Sequence, residues 1–182
     1  EVGEPAAGAE GFGGDDARTS IFDYWSMPEF TKWANGGKYD GARLSEEQKS
    51  LRAWYGKLIR ATQAPAFTAG EFYGLNHANQ QNLDFGRVGD ETVSGHWLYA
   101  FLRHDPKSGQ SFMIVANFHG SETLRNVRIS IPQNAWEFMN RTDRDDWTFT
   151  NQLDREWTGQ TVDQCLNLPD LPPCDAMILE IR

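Results

Sequence analysis

Residues 44–68, LSEEQKSLRAWYGKLIRATQAPAFT, decide how the rest of the chain is read. Leu51, Trp54, Tyr55, Leu58, Ile59 and Thr62 recur at i, i+3, i+4, i+7, i+8 and i+11, the period of one helix face. Ser45 precedes the run and Gln48 comes three residues later. That is a capping box, in which the Ser hydroxyl accepts from the N3 amide and the Gln side chain accepts from the Ser amide. Pro65 has no N–H and drives Ala64 toward extended backbone, so the helix is expected to stop there. A strand-like segment, Ala66 to Leu75, is expected directly after it. This long amphipathic helix therefore separates a Gly-rich and helical portion, residues 1–64, from a β-rich domain, residues 65–182.

Upstream, residues 1–19 carry Gly3, Gly8, Gly11, Gly13 and Gly14 among Glu1, Glu4, Glu10, Asp15 and Asp16, the pattern of an acidic loop. The carboxylate spacing does not match a calcium loop. Gly11 to Asp15 lacks the Lys-Ser/Thr pair of a phosphate loop. Residues 19–34 are dense in aromatics, and a short helix is expected over Pro28 to Ala34, with Ser26 as its cap and Asn35-Gly36-Gly37 as its end. Trp25 and Trp33 have two readings here: platforms on which a sugar ring stacks, or packing residues.

Downstream, His96 to His104 alternates Trp97, Tyr99, Phe101 and Arg103 with Leu98, Ala100 and Leu102, which suits a strand buried on both faces. Asp105-Pro106-Lys107-Ser108-Gly109 is a turn, and Ser111 to Phe118 returns as the second arm of a hairpin. Further strands are expected over Thr123 to Ile131, Ala135 to Met139, Trp147 to Thr150, Gln160 to Leu168 and Asp175 to Ile181. Short strands at such spacing predict an antiparallel sandwich. The fold class is thus α+β, a loop and two helices followed by a β-sandwich.

The 182 residues carry a net charge of −9, which argues against a nucleic-acid partner, because phosphate contacts need a concentrated basic surface. No apolar run approaches the length of a membrane-spanning helix. The opening Glu1-Val2-Gly3 lacks an initiator Met, and the chain is expected to be a piece of a longer gene product, the alternative being a mature protein after removal of a signal. Cys165 and Cys174 are either a bridged pair or free thiols, and they assign no compartment. His77, His96, His104 and His119 are not at zinc-ligand spacing, and no nucleophile elbow occurs. No metal, cofactor or catalytic residue is expected from spacing. Asn140-Arg141-Thr142 is a formal glycosylation sequon.

Several stretches together resemble a known family. Glu1-Val2-Gly3-Glu4, Asp16 to Tyr24, Leu51-Arg52-Ala53-Trp54-Tyr55 with Leu58, and Gly70-Glu71-Phe72-Tyr73 are similar to the C-terminal part of alpha-amylase family enzymes, glycoside hydrolase family 13. Ala176 to Ile181 resembles that family's last strand. The resemblance implies that residues 1–64 are the end of a (β/α)8 barrel and that residues 65–182 are a C-terminal β-sandwich of Greek-key type. The family's catalytic carboxylates lie on segments that would precede Glu1, so the chain alone is expected to be inactive. The implied partner is the rest of the barrel, with an alpha-glucan as ligand of the whole enzyme. Without the barrel, the stripe of Leu51, Trp54, Tyr55, Leu58 and Ile59 must find another cover, either the sandwich or a second copy of the chain. The alternative reading is a stand-alone carbohydrate-binding module that uses exposed aromatics.

Overall fold

The computed structural model describes residues 28–142, 146–153 and 155–182. Two compact units are present, one ending at Gly56 and one running from Lys57 to Arg182, so the division falls inside the long helix. In the first unit, α1 (Pro28–Ala34) ends in a 3-10 turn at Asn35–Gly37. Asn35, Gly36 and Gly37 there have φ of 44°, 67° and 89°. Two consecutive glycines make that left-handed exit inexpensive. Ser26, the expected cap, and Trp25 lie outside the described residues.

Helix α2 spans Glu46–Ala61. Its capping box forms as expected: the Gln48 amide donates to Ser45 Oγ at 3.2 Å and the Ser45 amide donates to Gln48 Oε1 at 3.1 Å. Ala64 is extended, with φ −61° and ψ 146°, as a residue before proline should be. The expected strand does not start at Ala66. Pro65 opens a one-turn helix, α3 (Pro65–Thr68), because its fixed φ also suits the first helical position. Strand β1 (Glu71–Gly74) begins only after it.

The second unit is built on eight antiparallel strands in the order β1-β2-β3-β8-β5-β6-β7-β4. These include β2 (Leu98–His104), β3 (Ser111–Asn117), β4 (Arg128–Ser130), β5 (Thr148–Asn151), β6 (Thr158–Val162), β7 (Cys165–Asn167) and β8 (Ala176–Ile181). The β2–β3 hairpin is the one read from the sequence, in full register from Leu98↔Asn117 to His104↔Ser111. The sandwich is a single curled sheet. Strand β6 pairs with β5 through Gln160 and with β7 from Thr161 onward, so one strand links both halves. Leu98, Leu102, Met113 and Leu179 from one half meet Ile129, Leu166, Phe149 and Trp136 in a common core.

Where β1 stops short, side chains take over the strand edges. Between β1 and β2 lies a second one-turn helix, α4 (Asn76–Asn79). Asn76 Nδ2 donates to Leu98 O at 2.8 Å, and its Oδ1 accepts from the Ala100 amide at 2.8 Å. Asn79 does the same to β4, donating to Ser130 O at 2.9 Å and accepting from Ser130 N at 2.8 Å. Asn82 Nδ2 donates to Arg128 O at 2.7 Å, and Arg128 N donates to Asp84 O. Asn76 and Asn79 each present one donor and one acceptor, as a peptide group does, and so continue a ladder that no backbone strand completes.

Four expectations are corrected. Ala135 to Met139 is not a strand: Gln133–Phe138 is helix α5, and its buried Ala135, Trp136 and Met139 fall at helical spacing. Residues 160–168 are not one strand but the β6–β7 hairpin, turned at Asp163 and Gln164 with φ of 50° and 59°, the pair of left-handed residues a tight hairpin turn needs. Thr123 to Ile131 shrinks to β4 plus one bridge, Leu124↔Leu171. Strand β2 is not buried on both faces; its inward side holds Leu98, Ala100, Leu102 and His104, while Tyr99 is 39% exposed. Cys165 and Cys174 are free thiols, the first buried and the second exposed. Among the described residues, no helix is long and apolar enough to cross a membrane.

Candidate functional site

The outer face of the sheet is the part of the second unit whose chemistry is least like a solvated surface. Alternation along β2 puts Tyr99, Phe101 and Arg103 on that face. Register adds Phe72 from β1, opposite Arg103, and Ala116, Ile114 and Phe112 from β3. Strand β8 completes it with Ala176, Ile178 and Glu180. The face has two halves with different fates.

One half is covered by the chain itself. Phe112 and Ile178 are buried under Ala66, with Leu58, Ala61, Ala64 and Phe67 packed around them. The Phe67 and Phe112 rings lie 5.1 Å apart. Arg103 fastens this cover. Its Nε donates to Ala66 O at 3.0 Å and its Nη2 to Phe67 O at 3.1 Å and Gly70 O at 2.7 Å. The guanidinium thus takes up carbonyls that the short helix α3 leaves unpaired. Gly70 must be glycine at this clamp, since a Cβ there would stand 2.4 Å from Ala66 O and 2.7 Å from His104 O.

The other half is open. Phe72 is 51% exposed and meets Phe101 in a tilted pair at 5.2 Å, and Phe101 lies 5.6 Å from Tyr99. Beyond Tyr99, Trp97 holds His96 stacked at 4.3 Å on one side and His119 edge-on at 4.4 Å on the other, with Phe118 64% exposed nearby in sequence. A row of aromatics this open, continuous with a half already used for packing, has the composition of an interface rather than of a rim. On α2 itself, Leu51, Tyr55 and Ile59 stand exposed at i, i+4 and i+8, so the apolar face expected to be buried is covered only in part, through Leu58 and Ala61.

Trp33 lies in the first unit. Its ring meets Phe30 at 5.6 Å and Tyr39 at 5.3 Å, the Arg52 guanidinium sits 5.5 Å from it, and its Nε1 is buried without a hydrogen-bond partner. Trp25, the other candidate platform, falls outside the described residues. The residues missed from the sequence are Phe72, Tyr99 and Phe101. The signal for Tyr99 and Phe101 was present in β2, where the aromatics fall on one side of the alternation and the aliphatics on the other; Phe72 joins them only through the β1–β2 register.

The carboxyl groups that shift do not form an acid–base pair. The Lys32 ammonium, with help from Gln48, holds the Glu29 carboxyl below its ordinary range. The Ala42 amide and Asn35 do the same for Asp40, and the Ser108 hydroxyl leads for Asp105. All three are therefore ionised acceptors at helix ends and turns, the opposite of a carboxyl kept protonated for general-acid work. Among the described residues, no group of three His, Cys, Asp or Glu could hold a metal ion. A cavity of about 750 Å3 opens beside the β2–β3 turn, lined by His104, Gln110, Met139, Arg141 and Trp147 among others.

The sequence matches a family model, the alpha amylase C-terminal all-beta domain, over residues 92–181. Comparison with curated proteins found no match.

Proposed function

Residues 92–181 belong to the alpha-amylase C-terminal all-beta domain family, and from that premise we propose that this chain is the C-terminal part of an alpha-glucan-acting glycosidase. Its β-domain supports the catalytic barrel, and the chain by itself holds no complete active site. The observation that carries the reading is the half-covered sheet face. The chain's own α2 and α3 pack on Phe112 and Ile178, and the adjoining Phe72, Phe101 and Tyr99 remain open for a further protein layer. In this reading the preceding barrel supplies that layer. It, or a second copy of the chain, also covers Leu51, Tyr55 and Ile59.

Three measurements test this. The chain as given should release no reducing sugar from starch or maltooligosaccharides, and turnover would refute the inactive-fragment reading. Mixed with the separately expressed barrel of its parent, it should co-elute in gel filtration, and Tyr99→Asp with Phe72→Asp should abolish the complex. Light scattering on the chain alone reports whether a second copy takes the stripe.

A second reading is favoured by the same aromatics: an alpha-glucan lies along the row of Phe72, Phe101 and Tyr99, or on Trp33. Affinity electrophoresis in glycogen separates the two. Strong retention lost in Tyr99→Ala or Trp33→Ala supports the binding module, and no retention leaves the row to protein contact.

A further inference from the structure

We propose that His104 is an acid-sensitive latch: its ring is accommodated only in the neutral state, so acidification opens α5 and the turn after it, residues 133–141. His104 closes β2, is 2% exposed, and lies between Glu71 of β1 and Ser111 of β3 across the ladder. Its Nδ1 is 2.9 Å from the fully buried Ser111 Oγ, and its Nε2 is buried with no hydrogen-bond partner. Phe138, the last residue of α5, meets the ring edge-on at 5.9 Å.

A neutral ring can either donate from Nδ1 to Ser111 Oγ or accept from that hydroxyl, whereas the imidazolium must donate from both nitrogens at once. Its Nε2–H then has no partner to receive it, among buried groups. Burial is the main force keeping the ring neutral. The Gln110 carbonyl opposes it, the Arg141 guanidinium reinforces it, and the Asp105 and Glu71 carboxylates oppose it.

The groups around the ring explain why opposition fails. Asp105 already accepts from Ser108 Oγ and from the Lys107 and Ser108 amides. Glu71 is exposed to solvent on the edge strand. From β8, Glu180 and Arg182 line the cavity beside His104 but bond one another. Just after α5 stands the cation of Arg141, held by the Ile181 carbonyl at 3.0 Å and lying 4.0 Å over Trp147, while Glu137 of α5 is exposed. His104 itself edges the cavity together with Met139, Asn140 and Arg141, so moving Phe138 aside lets water reach the buried Nε2 of a protonated ring.

The sign is fixed by linkage. The folded ring titrates below the ordinary histidine value, so the closed state has its full stability above that ordinary value. Stability is lost as pH falls from there toward the folded value. Each unit of displacement is worth about a tenfold change in the opening equilibrium.

Amide hydrogen exchange on the full chain, corrected for intrinsic rates, tests it between about pH 7 and about pH 5. Peptides covering 133–141 should lose protection at the lower pH, at least several-fold more than those from β3. His104→Gln should remove that pH dependence. Three results would overturn the latch: the same loss in His104→Gln, a loss spread equally over β3, or no loss at all. Should the variant fail to fold, an NMR titration of the wild-type His104 ring decides; a midpoint at or above the ordinary histidine value overturns the proposal.

Discussion

Replacing Asn79 by leucine should be the most damaging single polar change in the β-domain. The side chain is fully buried and serves four contacts. It donates to Ser130 O at 2.9 Å and Leu75 O at 3.0 Å, and it accepts from Ser130 N at 2.8 Å and Asn82 Nδ2 at 3.0 Å. Leucine is close in volume, so the cavity term is small and the polar term dominates. Ser130 would lose a partner for both its N–H and its C=O, each costing about 1–3 kcal/mol when left unmet. Ser130 is half-buried, so water recovers part of this, and a net loss of about 3 kcal/mol is expected. That is a large share of the stability of a domain this size. Urea unfolding should show a lower midpoint at an unchanged m-value. Asn79→Asp, which keeps the acceptor for Ser130 N but loses the donor, should also destabilise. If Asn79→Leu unfolds within about 0.5 kcal/mol of the wild type, the amide is not substituting for a strand and the reasoning fails.

Arg103→Ala should lower the melting temperature through about 2 kcal/mol or more, since the carbonyls of Ala66, Phe67 and Gly70 lose a charged donor. Arg103→Lys should recover only part, because an ammonium cannot reproduce the planar fork. Ser45→Ala should cost about 1 kcal/mol and reduce the helical circular dichroism signal, by removing the acceptor of the Gln48 amide. Asp105 is held below the ordinary carboxylate range, first by Ser108. Its contribution to stability is present above the ordinary value and is lost as pH falls through the folded one. Acid unfolding curves of Asp105→Asn should therefore run flatter in that range than those of the wild type.

The features legible in the sequence are those whose partners are local. The capping box joins Ser45 and Gln48, the β2–β3 hairpin turns within Asp105 to Gly109, and Pro65 dictates the backbone of the residue before it. Each is settled by sterics or hydrogen bonds a few residues long, so a linear reading finds it. The alternation in β2 was equally visible, yet which side faces solvent depended on what lies across the sheet. Tertiary structure decided the remainder. Ala135 to Phe138 is helical, with Met139 as its cap, because Trp136 and Met139 must both reach one core. Thr158 to Asn167 folds back at Asp163 because β5 and β4 each need a neighbour. Asn79 meets Ser130, 51 positions away, and nothing near either residue announces the pair. An amide side chain becomes a substitute strand only where a folded sheet leaves a backbone edge without water or partner, and that vacancy exists only after the chain has closed on itself.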